Sequence, residues 1–383
     1  MKPLIRPCSI AAKRDKVKAA IRAQADKIGP GAKLPTVVEL CASLQVAKVT
    51  LHSALNELEV AGLIRRQRGS GIYVRERDDE RPVGVLMEMD FSHPDVSFFW
   101  RRLPQQVRLL LASAGLRSRL YSGFRPPHES TSLSTCQEFI EDVAADRLRG
   151  VIVTWGRLSP EWAEPLRRRN VPLVGYGTEP GFEYAVDVDY APMIRDATLR
   201  LLAAGRRKLA LIDWTDGCLE TFTATLAENS VPLCKQWVKR DFPSSVPGAG
   251  WAEFREIWTE SQNKPDGLLV ADDILFRGVK HAICELGIRV PDQLLVVTHA
   301  NRGDNQYCPF PVWRFETDAD AFAQAQVDLL LALLRRQPVA QHKIALPLLF
   351  VDSEGTTAES QPVAATVRTM LTEEASSQRE RKP

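Results

Sequence analysis

The sequence lacks the features of a membrane protein or a secreted scaffold. None of its 383 residues lie in an apolar run that approaches the roughly 18 residues of a bilayer-spanning helix. Its seven cysteines are scattered singly, without the paired spacing of a zinc site or the density of a disulfide framework. Arg6 and Pro7 interrupt the opening segment before an apolar signal-peptide core can form. We therefore expect a cytoplasmic protein that makes no membrane contact.

Sequence patterns of common catalytic sites are also missing. There is no phosphate loop, no HExxH zinc pattern and no G-x-S-x-G nucleophile elbow. The six histidines stand isolated in the sequence. Asp272 and Asp273 are adjacent, but neighbouring residues at a strand end point apart. We predict no enzymatic activity, no metal and no cofactor.

The charge that is present is distributed unevenly. The chain has a formal net charge of +2, yet residues 1–77 hold 15 Lys and Arg against 6 Asp and Glu, a net of +9. The remaining residues together carry a net negative charge. A basic head of this size, joined to a larger acidic body, favours a polyanion-binding module attached to a second domain.

Within the basic head, the pattern predicts three helices and a hairpin. Apolar residues mark a first helix that ends before Gly29, and Thr36 with Glu39 has the spacing of a capping box at the start of a second. A third helix is predicted over residues 47–60, followed by two short strands around a glycine-rich turn. This order predicts a winged helix-turn-helix domain over residues 1–75.

In a winged helix-turn-helix domain the third helix enters the major groove of double-stranded DNA, and the hairpin contacts the backbone or the minor groove. A solvated hairpin on an ordinary helical bundle is the alternative interpretation. The predicted DNA-binding residues are Thr36, Lys48, Val49, Thr50, His52, Ser53, Arg66, Arg68, Gly69, Ser70 and Gly71.

Residues 34–74, which end in AGLIRRQRGSGIYV, resemble the DNA-binding domain of GntR-type regulators. Lys48 and Thr50 fit the family's pattern. The family usually has arginine where this sequence has Val38 and His52, and serine where it has Ala47. The resemblance implies operator DNA as the partner, and these departures imply an altered operator sequence.

After a charged linker at residues 76–82, the body alternates short apolar runs with helical stretches. We predict strands at 83–87, 117–121, 150–154, 172–175, 209–213, 267–270 and 294–298, with helices between and after them, the last at 319–335. Such alternation predicts an α/β fold with parallel sheets, and a body of this length favours two lobes over 83–360. Small molecules bind beyond the carboxyl ends of such strands. The polar tail, 361–383, is expected to be disordered.

Residues 83–357 resemble the effector domain of LacI-type repressors, a relative of the periplasmic sugar-binding proteins. The stretches 186–212 and 264–297 carry this resemblance. It implies a type I periplasmic-binding-protein-like fold whose two lobes are joined by three crossovers around a small molecule, often a sugar. The implied or predicted ligand-binding residues are Asp90, Phe91, Trp155, Trp214, Asp273 and Asn301.

Two departures concern the ligand itself. Cys218 stands where the family often has arginine, and residues 298–301 read THAN where it often has GFDD. Asn301 can compensate in part, because its amide both donates and accepts hydrogen bonds. These departures imply an unusual sugar derivative or a ligand that is not a sugar. Asp189 is predicted to cap a helix rather than to bind ligand.

The combination of head and body resembles arabinose-type repressors. We expect a homodimeric, ligand-responsive transcriptional regulator, acting as a repressor. Two alternatives stay open: an architectural DNA-binding dimer whose cleft has lost its ligand, and a pyridoxal-phosphate enzyme fused to a winged head. The apolar helix at 319–335 is expected to be buried either inside a lobe or at a subunit interface.

Overall fold

The computed structural model divides the chain into two compact units, Met1–Glu80 and Arg81–Pro383. The described residues are 10–29, 31–60, 63–67, 70–74, 81–90, 96–125, 136–177, 181–213, 217–240, 242, 244, 246–260 and 262–355. Most of the predicted linker and the whole predicted tail lie outside these residues, so the domain boundaries at 75, 83 and 360 stay predictions.

The first unit contains three helices followed by an antiparallel hairpin. Its elements are α1 (Ile10–Ile28), α2 (Val37–Leu44), α3 (Lys48–Val60), β1 (Ile64–Gln67) and β2 (Gly71–Val74). Leu40, Leu51 and Leu55 are fully buried between the helices. The predicted order of helices and hairpin is confirmed.

The second unit is an α/β structure with two lobes. In chain order its helices and strands are β3 (Val83–Met89), α4 (Phe98–Ser113), β4 (Ser118–Arg125), α5 (Gln137–Ala144), β5 (Gly150–Trp155), α6 (Pro160–Arg168), β6 (Leu173–Tyr176), β7 (Tyr184–Val188), α7 (Tyr190–Ala203), β8 (Leu209–Ile212), α8 (Cys218–Glu228), β9 (Val238–Lys239), α9 (Trp251–Glu260), β10 (Gly267–Val270), α10 (Asp273–Glu285), β11 (Leu295–Asn301), β12 (Trp313–Thr317), α11 (Ala319–Leu334), β13 (Lys343–Leu346) and β14 (Leu349–Val351).

Each lobe is built on one six-stranded sheet. The first lobe has the strand order β4-β3-β5-β6-β7-β13, and all of its pairings are parallel. The second lobe has the order β9-β8-β10-β11-β12-β14 and is parallel except for its edge strand β14. The predicted two-lobed α/β fold is confirmed.

The chain passes between the lobes three times within residues 83–351. The passages run from β7 to α7, from β12 to α11 and from β13 to β14, because the two members of each pair pack in different lobes. Phe322 and Leu330 of α11 are fully buried in the core of the first lobe with Val85 and Ile152. The apolar helix is therefore a core helix of a lobe.

Strict alternation of strands and helices is wrong at three places. β6 leads to β7, β11 to β12 and β13 to β14 without a helix between them. The prediction also missed α9 and the strands β7, β9, β12, β13 and β14. Most of these strands carry polar or half-exposed residues, so their apolar runs are too short to stand out from loops. None of the helices in the described residues is long and apolar enough to cross a membrane.

Candidate nucleic-acid interface and interlobe cleft

One face of α3 is exposed. Lys48, Val49 and His52 are exposed at the start of the helix, and Val49 is 81% exposed. Thr50 and Ser53 are half-buried beside them. The opposite face is the core of the unit, so these side chains project from the side of α3 that is free to enter a groove.

Thr36 is engaged in the predicted capping box. Its hydroxyl donates to Glu39 Oε2 at 2.9 Å and accepts from the Glu39 backbone N–H at 3.3 Å, while the Thr36 backbone N–H donates to Glu39 Oε2 at 2.7 Å. These bonds hold the start of α2. Thr36 therefore has a structural role in this unit, and its DNA contact stays a prediction.

Arg66 links the hairpin to α3. Its backbone N–H donates to Glu59 Oε1 at 2.9 Å, its Nε donates to Glu59 Oε2 at 2.8 Å, and its guanidinium also contacts Asn56. Arg65, by contrast, is exposed. Because the Arg66 guanidinium is already occupied, Arg65 is the better placed of the two to contact a phosphate.

The tip of the hairpin is held by local contacts. Ser70 Oγ and Tyr73 Oη are 2.7 Å apart. Gly71 has a φ of +130°, and a Cβ there would lie 2.6 Å from Lys33 Cε. The φ favours glycine at position 71, whereas the contact can be relieved by movement of the flexible Lys33 side chain. Arg68 and Gly69, also predicted to bind DNA, lie outside the described residues.

A second cluster of polar side chains lies where three neighbouring strands of the second lobe end. Asp273 follows β10, Asn301 ends β11 and Thr317 ends β12. All three side chains are buried. The carboxyl ends of parallel strands meet at one edge of a sheet, and this edge is where α/β sheets bind ligands.

Ser97 of the first lobe joins this cluster. Ser97 Oγ donates to Asp273 Oδ2 at 3.1 Å and accepts from Asn301 Nδ2 at 3.0 Å. Thr317 Oγ1 donates to Asn301 Oδ1 at 2.7 Å, and His299 Nε2 lies 3.3 Å from Thr317 Oγ1. We call these five residues the interlobe network. It connects the first lobe directly to the carboxyl edge of the second.

Burial controls the protonation of two members of the interlobe network. Loss of solvent raises the pKa of Asp273 to about 6, although the nearby guanidinium of Arg277 opposes the shift. Burial lowers the pKa of His299 to about 4, so its imidazole is neutral at pH 7. Since Thr317 uses its proton on Asn301, we assign the imidazole proton to Nε2. The unprotonated Nδ1 then lies 3.8 Å from Asp273 Oδ1.

Asp272 and Asp189 cap helices. Asp272 accepts from the backbone N–H groups of Ile274 and Leu275, both at 2.8 Å, and thereby caps α10. Its neighbour Asp273 faces Ser97 instead, so the prediction that the adjacent carboxylates point apart is confirmed. Asp189 accepts from Ala191 N–H and caps α7, as predicted.

The remaining predicted ligand residues lie in the first lobe or outside the described residues. Asp90 directly follows β3 and is half-buried. Trp155 ends β5 and packs against a small cluster that includes Met87 and Met89. Phe91 and Trp214 lie outside the described residues.

Sequence reasoning missed Ser97, Thr317, His299 and Arg277. Treating the histidines as isolated is wrong for His299, because its partners Asp273 and Thr317 come from the start of α10 and the end of β12. Ser97 carried one usable signal: it is an N-cap residue directly before α4, after the strand β3. Among the described residues, no group of three or more His, Cys, Asp or Glu side chains is arranged to hold a metal ion.

The two units match two known families. Residues 13–74 match the gntR family of bacterial regulatory proteins, and residues 198–352 match the periplasmic binding protein-like domain. The chain joins a gntR-type head to a periplasmic-binding-protein-like body. The head carries the exposed face of α3, and the body carries the interlobe network.

Curated proteins similar to this chain include the catabolite control protein A of Staphylococcus aureus and of Staphylococcus xylosus. Each is 22% identical to the chain, over 174 and 173 residues respectively. Both alignments cover 43% of the chain and 51% of the relative. The chain thus spans about half the length of the curated relatives it matches.

Solved structures show the same fold at low identity. A complex of the transcriptional regulator CelR with cellobiose is 18% identical, covers 82% of this chain and 92% of its own, and has a TM-score of 0.59. A LacI-family regulatory protein from Chloroflexus aggregans is 14% identical, with coverages of 73% and 100% and a TM-score of 0.60. The transcription regulator CcpA of Lactococcus lactis is 15% identical, covers 72% and 98%, and has a TM-score of 0.55.

Proposed function

We propose that the chain is a DNA-binding transcriptional regulator whose affinity for its operator is set by a small molecule between the lobes of the body. The observation that carries this proposal is the exposed face of α3 in a gntR-type head. Lys48, Val49 and His52 project from the first turns of the helix, where recognition helices contact base edges.

The body supplies the response to a ligand. Its polar groups converge from both lobes at the carboxyl edge of the second sheet, and three passages of the chain form a hinge between the lobes. A ligand that binds one arrangement of the lobes better than another shifts the equilibrium toward it. A tenfold change in operator occupancy needs a differential binding free energy of only about 1.4 kcal/mol.

We propose a homodimer as the binding form, acting in the cytoplasm as a repressor. A dimer binds two half-sites about 34 to 36 Å apart or at multiples of that spacing, so a small rotation of its two heads changes its affinity for the operator. The regulator names of the relatives and of the solved structures support regulation over catalysis. The match of the body to a periplasmic binding protein-like domain favours a binding function over a pyridoxal-phosphate enzyme.

One observation favours the architectural alternative. Asp273 and Asn301 share Ser97 as a hydrogen-bond partner, so residues of the protein itself join the two lobes at this point. A body held in this way could serve only to pair two heads. Thermal-shift screening of the full chain against sugars, sugar phosphates and nucleosides separates the two functions, because only a regulated body is stabilised by a compound.

Titration of DNA fluorescence anisotropy tests the main proposal. The full chain is titrated into a labelled duplex from the region upstream of its own gene and into a scrambled duplex of equal length and composition. We expect saturable binding that is at least about a hundredfold tighter for the upstream duplex at moderate salt. Equal affinity for the two duplexes would overturn the proposal.

A further inference from the structure

Arg277 is a cation beside the interlobe network. It lies one turn after Asp273 on α10, and its Nη2 is 4.0 Å from Asp273 Oδ2, the oxygen that accepts the hydrogen bond from Ser97. Its side chain is 27% exposed. The guanidinium therefore stands beside the interlobe network, on a side chain that is partly exposed.

Two of the donors of Arg277 are unused. Nε and Nη2 are both buried, and neither has a hydrogen-bond partner among the residues that the structure describes. The separation of 4.0 Å from Asp273 exceeds the length of a hydrogen bond. Buried donors without partners are rare in folded proteins, since each costs the desolvation of the group without a compensating bond.

The two unused donors form one edge of the guanidinium. Their N–H bonds point in the same direction and match the two oxygens of a carboxylate or phosphate. Arg102 shows this geometry in the same chain. Its Nε donates to Asp320 Oδ1 and its Nη2 donates to Asp320 Oδ2, both at 2.6 Å. Arg277 presents the same edge with no oxyanion on it.

Acceptors and donors for hydroxyl groups belong to the interlobe network, which reaches Arg277 through Asp273. Asp273 accepts hydrogen bonds, and Asn301 both donates and accepts them. A ligand that replaces Ser97 as the partner of these two residues would bring hydroxyl groups to them. The cleft thus offers a place for an anion next to places for hydroxyl groups.

We propose that the interlobe cleft binds a polyhydroxylated anion, whose oxyanion occupies the Nε–Nη2 edge of Arg277 and whose hydroxyl groups bind Asp273 and Asn301. This inference rests on the proposed function and deepens it by naming the class of effector. The oxyanion is a carboxylate, as in a sugar acid, or a phosphate, as in a sugar phosphate.

Matched compounds test the class of ligand. Binding to the full chain is measured by isothermal titration calorimetry with common pentoses and hexoses, the corresponding aldonates and uronates, and the corresponding terminal phosphates. We expect at least one anion to bind, and its neutral counterpart to bind about tenfold to a hundredfold more weakly. The carboxylate and phosphate series distinguish the two sources of the oxyanion.

Variants of Arg277 test the site. Arg277→Gln should weaken binding of that anion about tenfold to a hundredfold and leave the neutral counterpart unchanged. Arg277→Lys keeps the charge but loses the paired donors, so it should bind the anion with intermediate affinity, and it serves as the second variant if Arg277→Gln does not fold. Arg195→Gln, which removes an exposed partner of Glu228, is the matched control. It should leave the binding of both the anion and its neutral counterpart unchanged.

Three results would overturn the inference: no anion binds, a neutral sugar binds as tightly as its anion, or the Arg277 variants bind the anion as the parent chain does. The anisotropy titration with upstream and scrambled duplexes is run on the same preparations. If specific DNA binding persists while anion binding fails, the inference is wrong and the DNA-binding function stands. If specific DNA binding is absent, the proposed function itself is wrong.

Discussion

Ser97 and Asp273 are 176 residues apart in sequence, yet Ser97 Oγ donates to Asp273 Oδ2 at 3.1 Å. The serine caps a helix of the first lobe, and the aspartate begins a helix of the second. Asn301 donates to the same serine oxygen at 3.0 Å. One hydroxyl group therefore holds two residues of the opposite lobe, and its removal should weaken the contact between the lobes.

Ser97→Ala tests this contact. The substitution removes two buried hydrogen bonds between the lobes and the cap bond from Phe99 N–H, so we expect the free energy of unfolding to fall by about 1 to 3 kcal/mol in urea denaturation. The radius of gyration in small-angle scattering should also rise, because the lobes separate more easily. Ser113→Ala is the control: this serine donates only to a carbonyl in its own helix and is exposed, so its loss should be nearly neutral. Equal effects of the two substitutions would contradict the role of Ser97.

The pKa shifts of Asp273 and His299 predict opposite effects of pH on stability. The raised pKa of Asp273, about 6 against an ordinary 3.8, gives a stabilising contribution that is complete below pH 3.8 and is lost as the pH rises through 6. The lowered pKa of His299, about 4 against 6.5, gives a contribution that is complete above pH 6.5 and is lost as the pH falls through 4. Between about pH 4 and 6 the two trends oppose each other.

Single variants should separate the two trends. The free energy of unfolding of the Asp273→Asn variant, taken relative to that of the parent chain, should rise by up to about 3 kcal/mol as the pH rises from 4 to 6. His299→Gln should become less stable by a similar amount over the same range. Urea denaturation at half-unit steps of pH measures both. The charged or titratable neighbours Asp272, Arg277 and Asp304 are unchanged in each variant. Parallel curves for the two variants would contradict the protonation states assigned here.

Adjacent arginines of the hairpin should behave differently. Arg66→Ala removes the guanidinium bonds to Glu59 and Asn56 on α3 and keeps the backbone N–H bond to Glu59, so the head should lose about 1 to 2 kcal/mol of stability, measured by thermal unfolding. Arg65→Ala removes an exposed side chain and should leave the stability unchanged while weakening DNA binding. The prediction fails if Arg66→Ala leaves the stability unchanged or if Arg65→Ala has no effect on DNA affinity.

Lys48 and Val49 should have distinct roles on α3. Lys48→Ala should weaken binding to all duplexes alike and reduce the slope of log affinity against log salt by about 0.9 if its ammonium contacts one phosphate. Val49→Ala should leave this slope unchanged and weaken binding only where a thymine methyl group lies against it. Anisotropy titrations at four salt concentrations distinguish the two. Identical salt slopes for parent and Lys48→Ala would exclude a phosphate contact.

The head could be predicted almost completely from the sequence, because its signals are local. Thr36 and Glu39 are three residues apart and cap each other, and the hairpin turns within a few residues at Gly71. In the body, the long helices and central strands were also predictable from apolar periodicity. Strands such as β7 and β13 were not, because they become strands only by pairing with each other across about 160 residues of sequence.

The cleft was only partly predictable for the same reason. Asp273 and Asn301 follow strands, so their place at the carboxyl edge can be read from the order of the elements. Ser97 and Thr317 become site residues only through contacts with Asp273 and Asn301 that the sequence does not reveal. The unused donors of Arg277 are likewise visible only once its surroundings are known.

The most direct measurement is the affinity of the full chain for its upstream duplex with and without a compound that binds the cleft. We expect the dissociation constant to change at least about tenfold at a saturating concentration of the compound, which corresponds to a coupling free energy of about 1.4 kcal/mol. The same change should be absent with a scrambled duplex. An unchanged dissociation constant, with the cleft shown by calorimetry to be saturated, would contradict the account.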